Sequence, residues 1–209
     1  MNTKAKRSAG MFRFWTVFAF SLIFCFGQRT GAIAAESYQI DPAHSSLSFA
    51  VKHLTVSTVT GQFADFNGTV QYDPTDPTTF MTEVTIKTSS NDTHQEKRDA
   101  HLKGADFFDA EKYPAITFKS KTLTGKGDSY TLAGDLTMHG VTKEVSIPVA
   151  ILGPVNSPMG GKVLGISGET TINRQDFGIS WNKALDSGGL VVSDDVKIMV
   201  NIEAGNKSQ

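Results

Sequence analysis

The sequence predicts an all-β protein in which eight antiparallel strands close into one barrel, with a short α-helix between the third and fourth strands. Apolar and polar residues alternate with a period of two through most of the chain, which is typical of strands with one buried face. Turn residues separate the alternating segments, and a single segment carries a helix start motif instead. Closing such a sheet on itself covers its apolar face and removes its exposed edges.

The N-terminal segment, residues 1–34, has the composition of a secretory signal peptide. Four basic residues, Lys4, Lys6, Arg7 and Arg13, precede its apolar run. The apolar run that follows, at 14–26, is shorter than the ~20 residues of a membrane-spanning helix. Ala32 and Ala34 are the small residues that a signal peptidase recognises. We therefore expect cleavage after Ala34, export to the periplasm and no stable membrane insertion afterwards; a membrane anchor is the alternative.

The rest of the chain is predicted to form one domain at 35–203, followed by a short polar tail at 204–209. In its first predicted strand Leu47, Phe49 and Val51 alternate with serine and lysine residues. The eight predicted strands lie at 47–51, 66–72, 80–86, 116–118, 130–138, 145–151, 164–172 and 196–202. A barrel of eight strands has room for packed side chains or for one slender ligand, so this pattern permits a cavity without requiring one.

The predicted helix begins at residues 93–96, Thr-His-Gln-Glu, which match a capping box. We expect Thr93 to cap the first turn and the helix to run to about Lys103, since Gly104 is a natural stop. The spacing of His94, Arg98 and His101 then places these three side chains on one helix face.

Charge and cysteine content exclude several functions. Five of the 20 Lys and Arg residues and none of the 21 Asp and Glu residues precede the cleavage site, so the mature chain has 15 basic residues and a formal charge of −6. This charge argues against nucleic acid and against a polybasic mode of membrane binding. The single cysteine, Cys25, lies in the predicted signal peptide, so we expect no disulfide, thiolate metal site or cysteine nucleophile in the mature protein.

A series of short motifs resembles the YceI-like family of periplasmic polyisoprenoid-binding proteins, in order and along the whole mature chain. These are YQID at 38–41, HS at 44–45, GQF at 61–63, FNG at 66–68, RDAHL at 98–102, DFFD at 106–109, YPAITF at 113–118, GDLT at 134–137, GVTK at 140–143 and INRQDFG at 172–178. The resemblance implies an extended lipocalin-like barrel and an elongated apolar cavity for an isoprenoid quinone, a prenyl phosphate or a related amphiphile. It also associates the chain with stress responses. Residues 88–93 depart from the family pattern before the helix, so a head-group preference is not carried over.

The apolar tunnel that the resemblance implies has candidate lining residues on the inward faces of the strands. The candidates are Phe49, Val51, Phe63, Phe66, Phe80, Phe118, Leu136 and Phe177. An ordinary packed barrel core is the alternative interpretation of the same residues.

A polar mouth is predicted where His94, Arg98, His101 and Arg174 come together. The guanidinium of Arg98 presents several donors in one plane, which suits a phosphate or a carbonyl head group. Structural pairing of Arg98 with Asp99 or Asp109 is the alternative, and Arg174 has the same two interpretations.

No catalytic motif is evident in the sequence. The five histidines form no compact metal-binding motif, and His44 and His53 are expected to be hydrogen-bonded residues at strand ends. The chain has no Gly-x-Ser-x-Gly motif. We therefore expect a binding protein, monomeric or homodimeric, that requires no cofactor or metal and holds a bound isoprenoid lipid. An enzyme that uses a histidine site at the barrel mouth and a filled barrel that serves as an interaction scaffold are the alternatives.

Overall fold

The computed structural model describes residues 1–3, 35–184 and 190–206. The predicted signal peptide beyond residue 3, the predicted cleavage site at Ala34 and Cys25 lie outside the described residues, as does the end of the predicted tail. None of the helices among the described residues is both long and apolar enough to cross a membrane.

Within the described ranges, the chain forms eleven strands and one α-helix. The strands are β1 (Glu36–Ile40), β2 (Ser46–His53), β3 (Ser57–Phe63), β4 (Phe66–Tyr72), β5 (Met81–Lys87), β6 (Asn91–Asp92), β7 (Ala115–Lys126), β8 (Ser129–Met138), β9 (Val141–Asn156), β10 (Lys162–Asn173) and β11 (Val192–Asn206). The helix is α1 (Glu96–Lys103). Short 3-10 turns lie at Pro42–His44, Pro77–Thr79, Thr88–Ser90 and Arg174–Phe177.

The predicted eight-stranded antiparallel barrel is confirmed. Strand β11 pairs along most of its length with β2 and near its end with β1, which closes the sheet. Six of these strands combine two by two, and each pair acts as one bent strand of the barrel. The pairs are β1 with β2, β3 with β4, and β5 with β6. The two members of a pair form hydrogen bonds with successive parts of the adjacent bent strand. Five continuous strands, β7 to β11, complete the eight.

The bend between β1 and β2 has a local cause. Pro42 and the two residues after it form a 3-10 turn, and the Asp41 carboxylate accepts a hydrogen bond from the Ala43 amide at 2.9 Å. Asp41 thus caps the turn and frees the chain to change direction between the two strands. Both strands still pair with β11, so the bend does not open the barrel wall.

Packing differs between the two ends of the barrel. We call the end that holds β1, β4 and the last residues of β11 the base, and the end that holds the β2–β3 connection, α1 and the start of β11 the mouth. Tyr38, Leu164 and Ala204 at the base are completely buried. Phe107, Ile116, Met138 and Phe177 belong to a second cluster at the mouth.

Two predicted boundaries are wrong. The helix begins at Glu96 rather than directly after a Thr93 cap, because His94 adopts a left-handed backbone with a φ of 60° and Gln95 is the capping residue. Its predicted end at Lys103 is confirmed. At the C-terminus, β11 runs past the predicted end of the domain at Glu203 to Asn206, since Ala204 pairs with both Ile40 and Leu164 inside the barrel.

Candidate ligand-binding cavity

The barrel encloses a cavity of about 370 Å³ between the base and mouth clusters. Its walls are the inward-facing residues of the strands, and the middle of the wall is almost entirely apolar. Val84, Val196, Ile198 and Val200 are only half-buried although they face the barrel interior, because the cavity leaves part of each side chain uncovered. An apolar space of this kind stays dry and suits apolar ligands.

Two phenylalanines lie flat against the barrel wall rather than across the cavity. Phe49 is the cross-strand partner of Gly61, and a Cβ atom at Gly61 would lie 2.3 Å from the tip of the Phe49 ring. Likewise, a Cβ atom at Gly134 would lie 2.6 Å from the ring of Phe118. Each ring therefore occupies the space of an absent side chain, which leaves the centre of the barrel open.

Most of the predicted tunnel residues do line the cavity. They are Phe49, Val51, Phe63, Phe80, Phe118 and Leu136. The other two, Phe66 and Phe177, are 5% and 1% exposed and belong instead to the packed clusters at the base and the mouth. Contact between the six lining residues and a ligand stays a prediction.

The predicted polar mouth is only partly assembled. Arg98, His101 and Arg174 line the cavity, but His94 does not. Because the helix starts after it, His94 lies outside the predicted helix face, and its imidazole is 3.5 Å from the Asp92 carboxylate with 80% of the side chain exposed.

Arg98 is held by the segment that precedes its helix. Its Nε atom donates to the Thr93 hydroxyl at 2.7 Å and its Nη2 atom to the Thr93 carbonyl at 2.8 Å. The predicted alternative, direct pairing with Asp99 or Asp109, is therefore wrong; Asp99 instead accepts hydrogen bonds from the Thr93 amide and hydroxyl at 2.8 and 2.6 Å. Burial raises the pKa of Asp99, but the hydrogen bonds from Thr93 outweigh it and hold the pKa below its usual value of 3.8.

Arg174 is a buried structural group at the mouth. It is 4% exposed and follows β10 in a 3-10 turn. Its guanidinium donates to the carbonyls of Ile179, Trp181 and Ser193 at 2.7, 2.8 and 3.0 Å, and to the Asp194 carboxylate at 2.9 Å. Two of these hydrogen bonds fold the segment after β10 around the guanidinium, and the other two join that segment to the start of β11, which fits the structural interpretation of this residue.

Three aromatic side chains that the sequence did not indicate shape the mouth. Trp181 and Phe107 pack with ring centroids 5.1 Å apart, and each contacts His101 edge to face. Phe108 completes a cluster with Phe49 and Phe63 at centroid distances of 6.4 and 5.6 Å. The sequence did contain one signal for this cluster, the adjacent phenylalanines at 107–108 in a turn between polar residues. Two apolar rings in a turn are expected to pack against an apolar surface.

His44 is hydrogen-bonded next to a strand end, as the sequence predicted. Its Nδ1 atom is 2.8 Å from the Asp41 carboxylate, and this hydrogen bond raises the pKa of His44 and lowers that of Asp41. Asp41, His44 and Glu203 are a group within the described residues with ligand atoms within 4.8 Å of one another. They lie on the outer surface near the base and are not among the cavity-lining residues.

The cavity lining offers little that could catalyse a reaction. Within the described part of the chain, its charged or titratable members are Lys52, His53, Arg98, His101 and Arg174, with no Asp or Glu among them. His101 is already 2.9 Å from the Asp106 carboxylate. The arrangement can hold an apolar chain and present cationic and neutral donors at its mouth.

Relatives of known sequence share nearly all of the barrel. A family model described as a YceI-like domain matches residues 38–204. A UPF0312 protein of Staphylococcus aureus strain N315 is 40% identical over 168 residues, which cover 80% of this chain and 96% of the relative. A UPF0312 protein of Pseudomonas paraeruginosa is 38% identical over 185 residues, covering 88% of this chain and 92% of the relative.

Solved structures agree with this match. BcnA of Burkholderia cenocepacia has a TM-score of 0.69 at 27% identity, covering 78% of this chain and 98% of BcnA. The YceI protein of Campylobacter jejuni has a TM-score of 0.66 at 32% identity, covering 75% and 90%. A polyisoprenoid binding domain from Saccharophagus degradans shares the fold, with a TM-score of 0.59 at 16% identity over 80% and 97% of the two chains. The chain belongs to the YceI-like family.

Proposed function

We propose that this protein is an exported carrier that holds a long isoprenoid-type lipid, an isoprenoid quinone or a prenyl phosphate, inside its barrel without altering it covalently. The observation that carries the proposal is the apolar cavity of about 370 Å³, which lies within the range of about 300–1,000 Å³ for small-molecule sites. The cavity has an apolar body and its few polar side chains at one end, which matches an amphiphile with a long tail and a compact head.

The energetics of burial support a hydrocarbon ligand. Burying about 400 Å² of prenyl surface at about 25 cal/mol per Å² corresponds to about 10 kcal/mol of favourable free energy. The loss of translational freedom and the ordering of a flexible chain offset a good part of this value. The remainder still permits stable binding without any strong polar contact.

The comparisons support the ligand class and a binding role. The solved relative from Saccharophagus degradans is described as a polyisoprenoid binding domain. Among the described residues, the cavity lining has no carboxylate, and neither His53 nor His101 is hydrogen-bonded to a hydroxyl group of the lining, as the activation of a nucleophile by a base requires. We infer a binding protein that needs no cofactor, and the predicted signal peptide supports a role in the periplasm.

A cavity-filling substitution tests this function. Phe118→Trp adds ring volume to the cavity wall, so we expect weaker uptake of a long-chain ubiquinone from detergent solution while the barrel remains folded. Met81→Trp is the matched control, because Met81 is 54% exposed on the outside of the barrel. Uptake would be measured by extraction of the gel-filtered protein and folding by circular dichroism. Failure of the unmodified protein to take up either ubiquinone or a prenyl phosphate would refute the proposed function.

A further inference from the structure

The connection between β2 and β3 forms an exposed apolar tip beside the opening of the cavity. It consists of Leu54, Thr55 and Val56, which we call the rim loop. Val56 is 81% exposed. Leu54 and Thr55 both adopt left-handed backbone conformations, with φ angles of 52° and 63°, which is uncommon for non-glycine residues and especially for a β-branched one. The chain therefore turns tightly through two unfavourable residues and presents a valine at the tip.

The rim loop is continuous with the cavity wall. His53, the residue before it, and Val59, just after it, both line the cavity. The Leu54 amide donates to the Val191 carbonyl at 2.9 Å, and Val191 is itself a lining residue. Leu190, next to Val191, is 39% exposed. Two exposed apolar side chains thus lie at the edge of the opening, attached to the backbone that forms it.

Lys52 stands beside this apolar tip, and Arg98 is a second cation in the lining of the cavity. Lys52 donates to the Thr58 hydroxyl across the β2–β3 hairpin, and Arg98 donates to Thr93. Neither forms an ion pair with the residues that the structure describes. An apolar tip with a cation beside it and a second cation at the cavity opening suits the surface of a bilayer, where apolar side chains enter the acyl region and cations approach anionic head groups.

We propose that the rim loop is the surface by which the protein docks on a lipid bilayer to load and release its ligand. This inference rests on the proposed function, because a long isoprenoid chain resides in membranes and its passage through water exposes its whole apolar surface. Docking with the mouth against the bilayer lets the chain pass from one apolar environment to the other. The occupant of this surface is therefore a membrane rather than a second protein.

The test compares two exposed valines at opposite ends of the barrel. Val56→Ser removes the apolar tip, and Val155→Ser is the matched control, since Val155 is 61% exposed and pairs with Val163 at the base. The protein, expressed from its full coding sequence, would be mixed with phosphatidylcholine vesicles containing phosphatidylglycerol, with and without a long-chain ubiquinone. Co-flotation measures docking, and quinone recovered on the protein measures transfer.

We expect Val56→Ser to lower both vesicle co-flotation and the transfer rate about tenfold, the loss that corresponds to exposing one buried valine side chain. Its uptake of the same quinone from detergent should be unchanged, and Val155→Ser should match the unmodified protein in all three measurements. Equal co-flotation of Val56→Ser and the unmodified protein would overturn the inference. The inference would also be overturned if the unmodified protein sediments as a dimer and Val56→Ser sediments as a monomer that still binds vesicles. The rim loop would then join two copies of the protein.

The design separates this inference from the proposed function. Co-flotation with quinone-free vesicles depends only on docking, whereas uptake from detergent depends only on the cavity. A protein that floats through Val56 but takes up no quinone or prenyl phosphate from detergent would refute the lipid carrier and leave the docking surface standing.

Discussion

At the scale of single residues, the cavity depends on glycines as much as on aromatic side chains. Phe49 and Phe118 are large enough to fill the barrel centre, yet each ring rests on a glycine of the neighbouring strand. A Cβ atom at Gly61 would meet only side-chain atoms of Phe49 and Thr93 as its nearest neighbours, so a methyl group there would displace the ring rather than the backbone. The position of one ring therefore controls how much of the interior is open.

Gly61→Ala is expected to reduce ligand uptake more than stability. The new methyl group moves the Phe49 ring toward the cavity, and we expect uptake of a long-chain ubiquinone to fall about tenfold, equivalent to about 1.4 kcal/mol. Gly165→Ala is the matched control, because a Cβ there meets its nearest neighbour at an ordinary 3.8 Å. Unchanged uptake by Gly61→Ala in the gel-filtration and extraction assay would show that the ring does not limit the cavity.

Arg174 is expected to matter for stability rather than for the ligand. Arg174→Met leaves three carbonyls and the Asp194 carboxylate without their donor, and we expect a loss of about 3 kcal/mol in the free energy of unfolding, measured by urea denaturation. Arg98→Met, at an exposed position, should cost about 1 kcal/mol or less. Normal stability together with lost ligand uptake in Arg174→Met would instead assign this residue to the head group.

At the scale of elements, the helix α1 is tied to the strand before it by a side-chain network. Thr93 lies at the centre of this network, since it donates to Asp99 and accepts from Arg98. Asp99 and Arg98 both belong to the first turn of α1, so the network fixes the helix beside the cavity opening. The pKa of Asp99 is lowered, which means that the folded protein favours the ionised carboxylate more than the unfolded chain does.

This network predicts a pH dependence of stability. A depressed pKa contributes stability that is fully present above the unfolded value of 3.8 and is lost as the pH falls through the folded value. We therefore expect Asp99→Asn to have a lower free energy of unfolding than the unmodified protein near neutral pH. The difference between the two free energies should shrink as the pH falls below 3.8. Urea denaturation of both proteins across this range measures the difference. A gap between the two that stays constant with pH would contradict the ionised role of Asp99.

The elements that the sequence predicted correctly are those with local signals. The eight barrel strands follow from alternation of residue type, and the helix end follows from Gly104. The strand β3 was not predicted, because Gly61 and four small or polar residues leave it with few apolar positions. The capping box failed for a different reason: Thr93 has the right chemistry for a cap, but the side chains of Arg98 and Asp99 in the first helical turn take its hydroxyl.

The candidate site was less predictable than the fold. Five of the six confirmed lining positions lie in predicted strands, where inward alternation decides which side chains face the interior, whereas Phe63 lies in β3, which was not predicted. Phe66 packs in the base cluster, and Phe177 packs in the mouth cluster from the 3-10 turn after β10; alternation does not show how far a residue lies from these clusters. Trp181 comes to the mouth through contacts with α1 and the segment after it, which are distant in sequence and leave no local pattern.

At the scale of the whole molecule, the barrel has one sealed and one accessible end. The base is closed by a large cluster that includes Tyr38, Leu164 and Ala204. The mouth carries the polar lining residues and the rim loop, so tail-first entry of an amphiphile places its head group among His53, Arg98 and His101. The net negative charge of the predicted mature chain does not extend to this lining, which holds cations and no carboxylate among its described residues.

We propose that the barrel holds a long apolar guest, which native mass spectrometry of the gently purified protein can detect. We predict a species heavier than the polypeptide by the mass of an isoprenoid lipid, which solvent extraction then releases for identification. A spectrum that contains only the bare polypeptide, from protein that also fails to gain mass when mixed with ubiquinone or a prenyl phosphate, would contradict it.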